Sequence, residues 1–133
     1  MTVYYLDTSV AARVLLGHSP SAAAWLDART ADAEDSVISS RILRTELTRV
    51  LRREGLPVMV RDELLDYLGT VPLTDGVLAE AEAIVPHLKA LDAIHLASAI
   101  GTGLDPVVVT HDAAFRAVAE LIGCPTFDPV SEP

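Results

Sequence analysis

Residues 3–10, VYYLDTSV, decide the fold. An apolar, β-prone run delivers a carboxylate, Asp7, and two hydroxyls, Thr8 and Ser9, where the chain must turn. A second junction repeats the arrangement, because PVVVT at 106–110 leads through Thr110 and His111 to Asp112. These two runs, TVYYL and PVVVT, and weaker ones at DSVIS and GTVPLT, each precede a helical pattern. Helices are expected over roughly residues 9–16, 20–29, 40–54, 57–68, 75–85, 90–101 and 112–122. Gly55-Leu56-Pro57, Gly101-Thr102-Gly103 and Gly123-Cys124-Pro125 punctuate them. Strands separated by helices pair in parallel through right-handed crossovers. The expected architecture is therefore α/β, an open parallel sheet with helices on both faces. Sites in such sheets lie beyond the carboxyl ends of the strands.

The chain has 133 residues, half of them apolar, which suits one domain over 1–133. No apolar stretch is long enough to span a bilayer, and MTVYYLDTS lacks the layout of a signal peptide, so a cytoplasmic location is expected. The lone Cys124 has no disulfide partner and no metal-ligand spacing around it. A net charge of −9 disfavours unspecific adhesion to nucleic acid. Half of the ten basic residues nevertheless fall in RILRTELTRVLRR, as Arg41, Arg44, Arg49, Arg52 and Arg53. That run reads as a solvated helix face or as a local binding face, with Arg44, Arg49 and Arg53 the candidates.

Four acids stand where chemistry would need them. Asp7 and Asp112 end strands, where each is also a good helix cap. At about 100° per residue, Glu46 shares a stripe with Ile42 and Val50, beside Leu43 and Leu47, and so points inward; its bland reading is an ion pair with Arg49 or Arg53. Asp92, in LKALDAIHLASAI, either caps its helix or sits among core residues. His95, one turn on, reads as a hydrogen-bonded structural histidine, since no second histidine follows at the spacing zinc would need. Carboxylates gathered in one concavity repel, and a divalent cation relieves them. Oxygen donors without thiols or paired imidazoles select Mg²⁺ or Mn²⁺, which suit phosphodiester chemistry.

YYLDTSV, the inward Glu of RTELTRVLRR, LDAIHLASA and VVVTHDAAF, in this order and spacing, resemble the PIN-domain ribonucleases, particularly the VapC toxins of bacterial toxin–antitoxin pairs. The resemblance spans nearly the whole chain. It implies a five-stranded parallel sheet flanked by helices and an endoribonuclease using one or two Mg²⁺ or Mn²⁺ ions. It maps the acidic quartet onto Asp7, Glu46, Asp92 and Asp112, with Asp112 at the most variable position of the family. Thr8, Ser9 and Thr110 match supporting hydroxyls. The resemblance also implies a VapB-type antitoxin in a groove between apolar helix faces such as AAAWL, where Trp25 is a candidate anchor, and a homodimer or an antitoxin-bound hetero-oligomer.

Other classes fit less well. A receiver-type phosphotransfer domain needs a phosphoacceptor Asp ending a middle strand and a Lys ending a late one, and VPLTD and VVVTHD match that poorly. A haloacid-dehalogenase-like phosphatase needs a second Asp two places after the first, where this chain has Ser9. A non-catalytic binding module on the PIN fold is the remaining alternative, and the intact quartet counts against it.

Overall fold

The computed structural model describes residues 1–130; the last three positions of the expected domain lie outside the described residues. The chain runs β1 (Thr2–Leu6), α1 (Thr8–Leu15), α2 (Pro20–Ala31), β2 (Asp35–Ser40), α3 (Ile42–Glu54) and, after a 3-10 turn at Val58–Arg61, α4 (Asp62–Leu65). It continues through β3 (Gly69–Val71), α5 (Asp75–Ala83), α6 (Ala90–Gly101), β4 (Val107–Val109), α7 (Ala113–Ile122) and β5 (Thr126–Phe127). The sheet has five strands in the order β3-β2-β1-β4-β5, and every pairing is parallel.

Alternation along β1 sends its side chains to two cores. Leu6 joins Val10, Leu26, Leu43, Leu47 and Leu64 beneath α1 to α4. Tyr5 joins Leu96, Val108, Phe115 and Ala119 beneath α6 and α7. The chain winds outward from β1 to β3, then returns past β1 to β4. Right-handed crossovers in opposite directions require helices on opposite faces. The carboxyl ends of β1 and β4 therefore flank the point where strand order reverses, which is where ligands bind in open α/β sheets.

Most expected elements form within two residues of their anticipated ends. The main difference lies at 57–68, where a 3-10 turn and one short turn of α-helix replace a continuous helix. Val58 and Val60 are β-branched, and Leu64 is the only fully buried residue of the two elements, so little apolar surface supports a longer helix. The helix expected over 75–85 stops at Ala83, since Pro86 drives the residue before it out of the helical region. The helix expected from residue 40 begins at Ile42, because Ser40 still belongs to β2 and uses its Oγ to accept from the Ile42 N–H at 3.1 Å. Gly55, at φ 68°, closes α3 in the left-handed conformation that glycine adopts without steric cost.

Candidate active site

Asp7 sits one residue beyond β1, 2% exposed, with its N–H still bonded to the Val109 carbonyl at 3.0 Å. Its Oδ1 accepts from the Thr8 N–H at 2.8 Å, and its Oδ2 accepts from the Ser9 and Thr110 hydroxyls, both at 2.8 Å. Asp7 is thus the N-cap of α1 and also the knot between two strand ends. Ser9 Oγ accepts from the His111 N–H at 2.9 Å, closing the junction from the β4 side. The three hydroxyl residues singled out in the sequence all face this junction or its neighbour, since Thr8 Oγ1 donates to Glu46 Oε1 at 2.9 Å.

Glu46 makes no ion pair with Arg49 or Arg53. The buried stripe of α3 is Leu43, Leu47 and Leu51, which leaves Glu46 at its edge with its side chain 16% exposed. There Oε1 accepts from Thr8 and lies 2.6 Å from His95 Nε2. His95 is fully buried on α6, and its Nδ1 lies 2.7 Å from the Tyr5 hydroxyl. The structural role expected for His95 is present, and one of its partners is the candidate site residue Glu46.

Asp92 lies in the first turn of α6, half-buried; the N-cap of this helix is Lys89, so the capping reading of Asp92 does not hold. Burial, followed by the charges of Asp7 and Asp112, pushes its carboxyl up to about 6, with His95 opposing and Glu46 adding to the shift. The field at Asp92 therefore reports all three other acids. Asp112 caps α7 as expected, with Oδ1 accepting from the N–H groups of Ala114 at 2.9 Å and Phe115 at 3.0 Å.

The arginines divide. Arg49 and Arg53 follow Glu46 by three and seven residues along the same side of α3, both exposed, and Arg53 pairs with Glu54 at 3.3 Å. Arg44 faces elsewhere, into a recess of about 190 Å³ shared with Asp62 and Asp66. Trp25 packs edge-on against Tyr4 at 5.3 Å and beside Phe127 at 5.7 Å, and stays partly exposed in the wall of a recess of about 330 Å³. Its neighbour Leu26 instead lines a cavity of about 450 Å³ between α1, α2 and α4, with Val14, Leu15, Leu64 and Tyr67. Beside Asp112, His111 Nδ1 meets Asp128 Oδ2 at 2.8 Å. Asp128 follows the two-residue β5 in a stretch without any periodic signal, which is why it escaped notice.

Among the described residues no three His, Cys, Asp or Glu side chains form a ready-made cage for a cation. Mg²⁺ does not require one, because it keeps several waters and binds proteins through one or two carboxylates directly. The donors present are all hard oxygens whose charges repel at Asp92. Glu46 Oε2 and Asp112 Oδ2 have no hydrogen bond among the described residues. That donor set fits a hydrated divalent cation.

A parallel sheet with acids from strand ends and from helices on both its faces defines an α/β protein with an acidic site at its switch point. The family model for the PIN domain matches residues 4–121, and the chain belongs to that family. Ribonuclease VapC47 of Mycobacterium tuberculosis (strain CDC 1551 / Oshkosh) is 35% identical over 131 residues, covering 94% of this chain and 96% of the relative. VapBC2 from Rickettsia felis, solved bound to a DNA fragment from its promoter, superposes with a TM-score of 0.72 at 14% identity, over 96% of this chain and 98% of the other. A toxin–antitoxin complex from Klebsiella pneumoniae gives a TM-score of 0.70 at 17% identity, over 97% and 99% of the two chains. These likenesses match the five-stranded PIN-like α/β fold expected from the sequence.

Proposed function

We propose that this chain is a divalent-cation-dependent endoribonuclease, the toxin of a VapBC-type pair. The observation that carries the reading is the PIN-domain match over residues 4–121, together with the fields of Asp7, Asp112 and Glu46 that raise the Asp92 carboxyl. The name of the M. tuberculosis relative supports the activity. Asp7, Glu46 and Asp92, with Asp112 as the fourth acid, would hold one or two Mg²⁺ or Mn²⁺ ions. When bound, such an ion supplies Lewis acidity, lowering the pKa of water and neutralising charge on the phosphodiester.

The chain's own residues do the positioning. Thr8, Ser9 and Thr110 fix the Asp7 carboxylate, whose lone pairs outnumber the hydrogen bonds it accepts. The α1 N-terminus favours an anion nearby. Arg49 and Arg53 extend along α3 from Glu46 and guide the RNA backbone toward it; Arg44 serves only RNA that wraps past α4. The cavity between α1, α2 and α4 receives an apolar helix face of a VapB-type antitoxin, and Asp27 and Glu63 at its wall favour basic side chains there. In this reading the toxin exists as a homodimer or in a hetero-oligomer with that antitoxin, in the cytoplasm. Among the described residues no helix is long and apolar enough to cross a membrane.

Purified protein free of any partner should cleave single-stranded RNA with Mg²⁺ or Mn²⁺ and stop when EDTA is added. Cleavage that persists in excess chelator rules out the cation, and absence of cleavage in every divalent ion turns the reading to a non-catalytic binding module.

A further inference from the structure

A fully buried imidazole must satisfy both ring nitrogens, and those of His95 do so in a defined direction. The Ser40 N–H donates to the Tyr5 hydroxyl oxygen at 3.1 Å. A phenol carries its own hydrogen at neutral pH, and His95 Nδ1 lies 2.7 Å away to accept it. With Nδ1 accepting, the Nε2–H is left to donate, and Glu46 Oε1 stands 2.6 Å away. Tyr5 lies two residues before Asp7 on β1, and His95 lies three after Asp92 on α6. One continuous run of hydrogen bonds therefore joins the three elements that carry Asp7, Glu46 and Asp92.

Glutamate is the acid that most needs such a tie, since it has one more rotatable bond than aspartate. Glu46 sits at the edge of its helix's buried stripe, where packing alone does not choose its rotamer. Holding Oε1 from His95 and Thr8 selects one orientation and leaves Oε2 without a hydrogen bond among the described residues. We propose that His95, backed by the Tyr5 hydroxyl, is a positioning residue that presets the Glu46 carboxylate for cation binding. This rests on the reading of the acids as cation ligands given above.

The test is direct Mn²⁺ binding to RNA-free protein, followed by the paramagnetic resonance of the free ion, alongside thermal melts in EDTA. Tyr5→Phe removes one oxygen and keeps the ring; His95→Leu removes both nitrogens; His95→Gln restores a donor near the Nε2 position. Mn²⁺ affinity should fall by about tenfold in Tyr5→Phe and further in His95→Leu, with His95→Gln recovering most of the loss. Lower melting with unchanged Mn²⁺ affinity in Tyr5→Phe and His95→Leu would overturn the proposal and leave the relay a core device. If His95→Leu does not fold, Tyr5→Phe decides alone. A wild-type protein that binds no Mn²⁺ overturns the cation reading itself, a failure visible before any variant is compared.

Discussion

Two aspartates of the proposed site are held in opposite ways. Asp7 is anchored by three donors from α1 and the end of β4. Asp92 has no such donors among the described residues and is pressed toward its neutral form by burial and by its neighbours' charges. One position is stabilised by its carboxylate and the other is strained by it. A site can thus be rigid at its root and unsatisfied at its rim, and the unsatisfied part is where a cation gains most.

The comparison breaks at once if the two do not share a function. Asp7→Asn and Asp92→Asn should each lower RNA cleavage by more than about 100-fold, as loss of a ligand exceeds loss of a supporting contact. Near-normal cleavage by both would remove the acids from the mechanism. Stability should separate the two. Asp7→Ala leaves the Ser9 and Thr110 hydroxyls and the first turn of α1 without their acceptor, and should cost about 1–3 kcal/mol in chemical denaturation. Equal stability to wild type would show that water replaces the carboxylate freely.

Asp92→Asn should act in the other direction, stabilising the cation-free protein by about 0.5–2 kcal/mol after allowance for its partial exposure. The pH dependence gives the same sign. With the folded carboxyl at about 6 and the ordinary value at 3.8, the folded state holds more protons between those limits. Stability in EDTA should therefore decline as pH rises through that window, and Asp92→Asn should flatten the decline. Melts at pH 4 to 7 check this, and identical slopes for both proteins would refute it. The smallest effect belongs to Arg53, whose exposed pair with Glu54 should contribute within about 0.5 kcal/mol. Arg53→Gln should leave the melt unchanged while raising KM for RNA at low salt.

Sequence reasoning reached the sheet's class and both strand-end aspartates because β1 and β4 are strongly apolar and end abruptly in polar residues. It located Glu46 by helical periodicity, but the local ion pair weighed as the alternative is not the contact Glu46 makes. Periodicity describes one helix, whereas Thr8 and His95 arrive from two others. The Tyr5–His95 contact joins residues 90 apart in sequence, which no local pattern carries. β5 was implied only by family resemblance, since two residues cannot display a strand's alternation. Asp7 illustrates a different limit: capping and site were weighed as alternatives, yet the carboxylate that caps α1 also stands at the junction of two strand ends, so the cap does not exclude the proposed role.

The brevity of the outer strands has a consequence of its own. β3 offers three residues and β5 two, so neither edge exposes a row of backbone groups long enough to recruit a strand from another molecule. A chain that can be separated from any partner must survive in solution with those edges bare. This one keeps its long strands, β1 and β2, inside the sheet, which protects the isolated protein from edge-to-edge aggregation.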